Sequence, residues 1–300
     1  MATILITGAS GLIGTALSRS LLASGHVVHH LGRGVSTSVA TRSFTWDPSR
    51  DVMDASALNG VTHIVHLAGA GIADKRWSKA RVQELITSRT ATARLLLRCA
   101  REHGRRIDSF VSAAGIGYYG AVTTDHTFVE NDGPASDTIG TISSAWESAV
   151  DEWRTLTRVV KLRTPVVLTN DGGALPKLAA PVKFGLGAPV GSGRQWMPWV
   201  HLADLVRIYG TALFNERMEG AYNVNTGNDV RNDDFMRTMA QTLHKPYFLP
   251  GVPAFALRLA LGELSSVLLE GSRASNARLL ETGFQFDHPQ LKMALTGLYR

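Results

Sequence analysis

A single cysteine, Cys99, stands in a chain of 300 residues. No internal disulfide can form, which fits a reducing compartment. Cys99 falls in an apolar helical run with Leu95, Leu96 and Leu97, the setting of a buried thiol rather than a nucleophile. No stretch approaches the roughly 20 apolar residues of a membrane span. The first residues run straight into a strand pattern, with no basic leader before it. A soluble, cytoplasmic protein with no membrane partner is expected. Metal chemistry is not supported either. No His, Cys and carboxylate cluster has ligand spacing, and neither Glu-x-x-His nor Cys-x-x-Cys occurs.

Charge of one sign is scarce too. The net charge is +6, from 31 basic and 25 acidic residues that are interleaved along the chain. The basic group Arg101, His103, Arg105 and Arg106 sits where a long helix should end, a place where cations suit the helix dipole. No recognition motif accompanies it, so no nucleic-acid partner is expected. The mild positive field favours a phosphate-bearing small molecule instead.

What is present is an ordinary globular composition, 44% hydrophobic and 19% charged, enough to bury a full core. Short apolar runs at 3–7, 26–32, 62–68, 108–113 and 158–164 read as buried strands. Helical patterns at about 12–24, 78–103 and 140–157 alternate with them. This rhythm predicts an α/β fold, a Rossmann-type doubly wound parallel sheet with right-handed crossovers. Residues 1–168 form the dinucleotide-binding domain in this reading, with 199–226 returning to it. Residues 169–198, rich in glycine and proline, read as a lid or substrate loop with at most one short helix. Residues 227–300 read as a smaller, mostly helical C-terminal domain, with amphipathic segments near 232–243, 254–261, 272–282 and 289–298.

Thr7-Gly8-Ala9-Ser10-Gly11-Leu12-Ile13-Gly14 follows the first strand and opens the first helix. Gly8 suits a tight turn, Gly11 a close approach of backbone to a pyrophosphate, and Gly14 the packing of helix on sheet. The helix N-terminus supplies free N–H groups and a favourable dipole for the phosphates. The second strand ends at Leu31-Gly32-Arg33. An acidic residue there would hold a ribose 2′-OH, whereas Arg33 suits a 2′-phosphate, so NADP(H) is the expected cofactor. At His66-Leu67-Ala68-Gly69-Ala70 small residues let backbone pass the adenosine ribose.

With these residues placed, the chain resembles the short-chain dehydrogenase/reductase superfamily in its extended or atypical branch. More specific strings resemble the YfcH-like "epimerase family" proteins, related to NAD-dependent epimerases and dehydratases, over nearly the whole chain. They are Ala73-Asp74-Lys75-Arg76-Trp77, Gly117-Tyr118-Tyr119-Gly120, Asp171-Gly172-Gly173-Ala174-Leu175, Phe184 to Gly187, Gly191 to Gln195, Trp199 to Leu205, and Val230-Arg231-Asn232. The resemblance implies cofactor contacts at Gly8, Ser10, Gly11, Leu12, Ile13, Gly32 and Arg33. It puts Leu67, Ala68 and Gly69 beside the ribose, has Glu84 and Arg89 reach in from the long helix, and sets Val167 near the nicotinamide. Glu84 and Arg89 are five apart, on neighbouring rather than identical helix faces.

The superfamily's usual chemistry is missing. Typical members use a Tyr-x-x-x-Lys pair, in which the ammonium lowers the tyrosine pKa so that the phenolate acts as a base. No Tyr here is followed four residues later by Lys, and the expected place reads Ile142-Ser143-Ser144-Ala145-Trp146-Glu147. The position where relatives carry a Ser or Thr, four before Tyr118, is Ala114. Ser112 lies two residues back on the same strand face, roughly 6–7 Å away. Tyr118 and Tyr119, at the carboxyl end of the sheet, are the candidate proton donors beside Ser112. Lys75, Arg194 and Gln195 are the candidate contacts to an anionic small-molecule substrate. His201 and Asp204 open a helix, where Asp204 orients the segment. Two functions fit: an oxidoreductase or epimerase on a small polar substrate, and an idle NADPH-binding sensor.

Overall fold

The computed structural model describes residues 1–34, 40–102, 104 and 106–299, so His103 and Arg105 of the basic group lie outside the described residues. The first half of the chain alternates strand and helix. It comprises β1 (Thr3–Thr7), α1 (Leu12–Ala23), β2 (Val27–Gly32), β3 (Arg42–Asp47), β4 (Val52–Met53), β5 (His63–His66), α2 (Lys79–Glu102), β6 (Ser109–Gly115), β7 (Thr127–Phe128), α3 (Thr138–Asp151) and β8 (Arg158–Thr164). The second half continues with β9 (Val166–Leu168), α4 (Leu175–Lys183), β10 (Trp199–His201), α5 (Leu202–Phe214) and β11 (Gly220–Asn223). The rest is α6 (Asn232–Thr242), α7 (Ala254–Leu261), α8 (Ser265–Leu269), β12 (Arg273–Ala274), α9 (Ala277–Leu280) and α10 (Leu291–Tyr299).

Eight strands form the main sheet in the order β11-β8-β6-β5-β1-β2-β3-β4. All neighbours pair parallel except β3 and β4. Alternation along β1 divides the core. Ile4 and Ile6 pack with Leu17 and Leu21 of α1 and with Leu205, Ile208 and Tyr209 of α5. Leu5 points the other way, into Leu95 and Leu96 of α2 and the indole of Trp153. A strand buried on both faces reads as an unbroken apolar run, which is why β1, β2, β5 and β6 were visible in the sequence.

Other elements were not. β3 is polar and half-exposed because it lies near the sheet's outer edge, so it carries no apolar run. The stretch 169–198 holds the one short helix allowed for it, α4, while β9, just before this stretch, was not anticipated and pairs parallel with β10 at the start of the returning segment. Leu175, Ala179 and Val182 of α4 join Phe235, Met236 and Met239 of α6 and Leu291 and Leu295 of α10 in one core. The expected lid is therefore packed into the C-terminal lobe. The helix expected over 272–282 is a correction as well: Arg273–Ala274 pair parallel with Thr127–Phe128, and only Ala277–Leu280 are helical.

This pairing makes residues 262–276 a strap across the carboxyl end of the sheet. Gly262 bridges to Trp77 in the loop after β5. Thr123 Oγ1 donates to Glu270 Oε2 at 2.5 Å, and Ser272 Oγ donates to Gly120 O at 2.8 Å. The amides of Asn225 and Asn276 then tie the strap to the end of β11. Opposite, the buried Asp204 carboxylate in the first turn of α5 accepts from the main-chain amides of Asp287 (2.8 Å) and His288 (2.9 Å). The orienting role expected of Asp204 thus extends to the C-terminal lobe. No helix among the described residues is long and apolar enough to cross a membrane.

Candidate functional site

At the carboxyl end of β1 the chain turns at Gly8 with φ +69°, in the left-handed region. A Cβ there would lie 2.7 Å from Leu67 O and 2.9 Å from Ala68 N, so the turn touches the backbone leaving β5. Thr7 Oγ1 secures that contact by accepting from the amides of Leu67 and Ala68, each at 3.2 Å. A Cβ at Gly14 would lie 2.6 Å from Ala9 Cα. Gly14 therefore closes the first turn of α1 onto the glycine turn itself, rather than onto the sheet as expected. Gly11 caps the helix without a side chain, which leaves the amides of Leu12, Ile13 and Gly14 aimed outward, with Ser10 exposed beside them. Leu12, Ile13, Leu67 and Val167 are partly buried and pack against the core that includes Ile4, Ile6 and Leu17.

Gly32 ends β2, and Arg33 follows it exposed to solvent. Across from them Glu84 and Arg89 divide sharply. Glu84 is exposed and bonded to Arg81 at 2.7 Å; that bond, with the charges of Lys75 and Arg33, holds its carboxyl below the usual range. Arg89 is buried instead, donating to Leu85 O and Ala70 O, each at 2.9 Å. Ser88 accepts from the Ala70 amide, and Arg81 donates to Gly71 O. Three α2 side chains thus staple the loop after Gly69. Fully buried His66 is held by Thr92, and burial pushes its pKa down to about 3.

The candidate hydroxyls are placed differently from expectation. Ser112 is fully buried in β6 between His66 and Lys161, and its Oγ donates to Ala113 O at 2.8 Å. The Tyr119 hydroxyl, also buried, accepts from Arg163 Nη1 at 2.7 Å and donates to Asn223 Oδ1 at 2.8 Å, with Val129 O 3.0 Å away. Burial lifts its pKa to about 12. Neither group is offered to a substrate, because each proton is already committed to a protein acceptor. Tyr118 lies with its ring 3.6 Å from the Arg163 guanidinium carbon and lines an open groove of about 430 Å³ at the sheet edge. Arg163 is bidentate to Glu147 (2.7 and 3.0 Å), and Lys161 reaches the same carboxylate at 3.0 Å. Sequence reading missed this buried cluster, although Lys161 and Arg163, two apart in a strand read as buried, were its signal.

The helix face turned toward the end of β6 carries Ile139 and Ser143, four residues apart, both against Gly117. On the substrate side, Lys75 and Arg194 are exposed. Gln195 is buried, and its Nε2 donates to Val190 O and Leu268 O, so it fastens the strap's approach. Arg231 covers the Trp196 ring at 4.0 Å, and Trp196 Nε1 donates to Thr124 O. Among the described residues no cluster of His, Cys or carboxylates could hold a metal.

Comparison with known proteins agrees with this geometry. The profile of the NAD dependent epimerase/dehydratase family matches residues 4–225, and one described as a domain of unknown function matches residues 252–298. "Epimerase family protein ML0860" of Mycobacterium leprae is 34% identical over 297 residues, 98% of this chain and 95% of the relative. A crystal structure of human epimerase family protein SDR39U1 with NADPH superposes with a TM-score of 0.87 at 29% identity, covering 99% of both chains. A nucleoside-diphosphate sugar epimerase from Corynebacterium glutamicum gives 0.80 at 26% identity, over 99% of this chain and 58% of that one. The chain therefore belongs to the NAD dependent epimerase/dehydratase family, as an atypical short-chain dehydrogenase/reductase of the epimerase-family type.

Proposed function

We propose that this chain binds NADP(H) in the cradle formed by Gly8–Gly14, Leu67–Ala68 and Arg33. The carrying observation is the turn's closeness: at Gly8 and Gly14 a Cβ would collide with backbone, so only glycine closes the turn, and no side chain caps the amides at the N-terminus of α1. Helix N-termini of this kind receive a pyrophosphate. Arg33, exposed at the end of β2, meets a 2′-phosphate rather than a bare ribose hydroxyl. The NADPH in the human SDR39U1 structure supports the same assignment.

Hydride transfer is the chemistry that such a cofactor supplies. The strap 262–276 crosses the loops after β5 and β6, and exposed Lys75 and Arg194 are the cations for a small polar substrate in an oxidoreductase or epimerase reading. The committed hydroxyls of Tyr119 and Ser112 favour a second reading, an NADPH-binding regulatory module without turnover. Fluorescence titration of NADPH, followed by NADPH oxidation with carbonyl compounds and nucleotide sugars, separates the two. Oxidation that persists in Ser143→Ala and Tyr118→Phe would assign the proton to solvent. Tight binding with no turnover across the panel supports the regulatory reading, and no binding of NADPH refutes both.

A further inference from the structure

Arg89 is a cation buried without an anion. Its side chain is 7% exposed, and its guanidinium is held by two main-chain carbonyls, Leu85 O and Ala70 O. Its Nε has no partner. Among the described residues no carboxylate pairs with it. The charges around it are accounted for otherwise. Arg81, one helical face away, pairs with exposed Glu84. Glu147 on α3 is held between Arg163 and Lys161. His66 on β5 is neutral, and the Asp74 carboxylate lies over Gly71. Carbonyl dipoles solvate a guanidinium but leave its net charge in place, and burial extends the reach of that charge.

The fold fixes which end of a dinucleotide meets this charge. The pyrophosphate belongs at the N-terminus of α1, and the adenosine end extends past β2 toward Arg33. The nicotinamide end therefore runs the other way, over the ends of β5 and β6 toward α3. Arg89 faces α3, with its guanidinium carbon 4.9 Å from the centre of the Trp146 ring on that helix.

We propose that Arg89 sets the redox preference of the cradle, favouring the reduced dinucleotide, whose nicotinamide ring is neutral, over the oxidised one, whose ring is positively charged. This inference rests on NADP(H) occupying the cradle. The two forms carry the same phosphates and differ at the ring, so a fixed cation on that side discriminates by charge alone. Two unit charges about 10 Å apart at an effective dielectric of about 20 change an affinity by about tenfold or somewhat more. A protein built this way reports the reduced fraction of its cofactor pool rather than the total.

The test is the ratio of NADP⁺ to NADPH dissociation constants for the wild type, Arg89→Met and Arg89→Lys. The wild type should prefer NADPH about tenfold. Arg89→Met should bring the ratio to within about threefold of unity, mainly by tightening NADP⁺, while Arg89→Lys should keep most of it. Should Arg89→Met fail to fold, Arg89→Gln retains an amide donor for the carbonyls and gives the same reading. A neutral variant that keeps the wild-type ratio overturns the inference, as does a wild type that binds both forms equally. A wild type that binds neither dinucleotide overturns the cofactor reading itself.

Discussion

Replacing Tyr119 by Phe separates a structural tyrosine from a catalytic one. The substitution removes a single oxygen that accepts from Arg163 and donates to Asn223, all within a buried pocket. The ring, stacked on Phe128 at 4.9 Å, stays in place, so no cavity of consequence opens. What is lost is the acceptor for one guanidinium N–H and the donor for one amide oxygen, both remaining out of water. Orphaning buried polar groups costs about 1–3 kcal/mol, with charged partners at the upper end. Arg163 keeps its bidentate bond to Glu147, which limits the damage to about 2–3 kcal/mol. At about 2–4 °C per kcal/mol, Tm should fall by about 4–12 °C. Differential scanning calorimetry measures this, and an NADPH titration on the same sample should give the wild-type affinity. A variant with unchanged Tm but turnover reduced a hundredfold or more would refute the reasoning and restore Tyr119 as a proton donor.

Three further outcomes are expected. Gly8→Ala forces a left-handed φ on a residue with a Cβ and drives it into Leu67; NADPH binding should be lost and stability reduced by about 2–4 kcal/mol, read by titration and urea unfolding. Retained affinity would discredit the cradle. Arg33→Asp should abolish any preference for NADPH over NADH, and a variant that still prefers NADPH would place the 2′-phosphate elsewhere. The chain should also weaken in acid. His66 folded titrates at about 3 and unfolded near 6.5, so its contribution is complete above about 6.5 and is lost as pH falls below it, by about 2 kcal/mol at pH 5. His29, His30 and His63, also lowered by burial, add to the loss. Urea midpoints at pH 7 and 5 measure it, and a His66→Asn variant with the wild-type pH slope would contradict it.

The parts of the fold legible in the sequence are those whose cause is local. The glycine turn states its own geometry, and β1, β2, β5 and β6 announce themselves because both faces are buried. The misread parts have distant causes. Whether 273–274 form strand or helix depends on Thr127–Phe128, nearly 150 residues earlier, and nothing within 272–282 records that. Tyr119 looked free because its partners, Arg163 and Asn223, arrive from β8 and β11. Glu84 and Arg89 lie five apart on one helix, and only the packing of α2 on the loop after β5 turns the first to solvent and buries the second.

The strap 262–276 also bears on how the protein matures. A ribosome delivers the parallel sheet through β11 before it delivers the residues that cover the sheet's carboxyl end. Until Ser272, Arg273 and Ala274 emerge, Gly120, Thr127 and Asn225 lack the partners that the finished protein gives them. A dinucleotide can meet the glycine turn during that interval, while the substrate cleft has no roof. The glycine turn at Gly8 is thus synthesised more than 250 residues ahead of the segment that crosses the carboxyl end of the sheet.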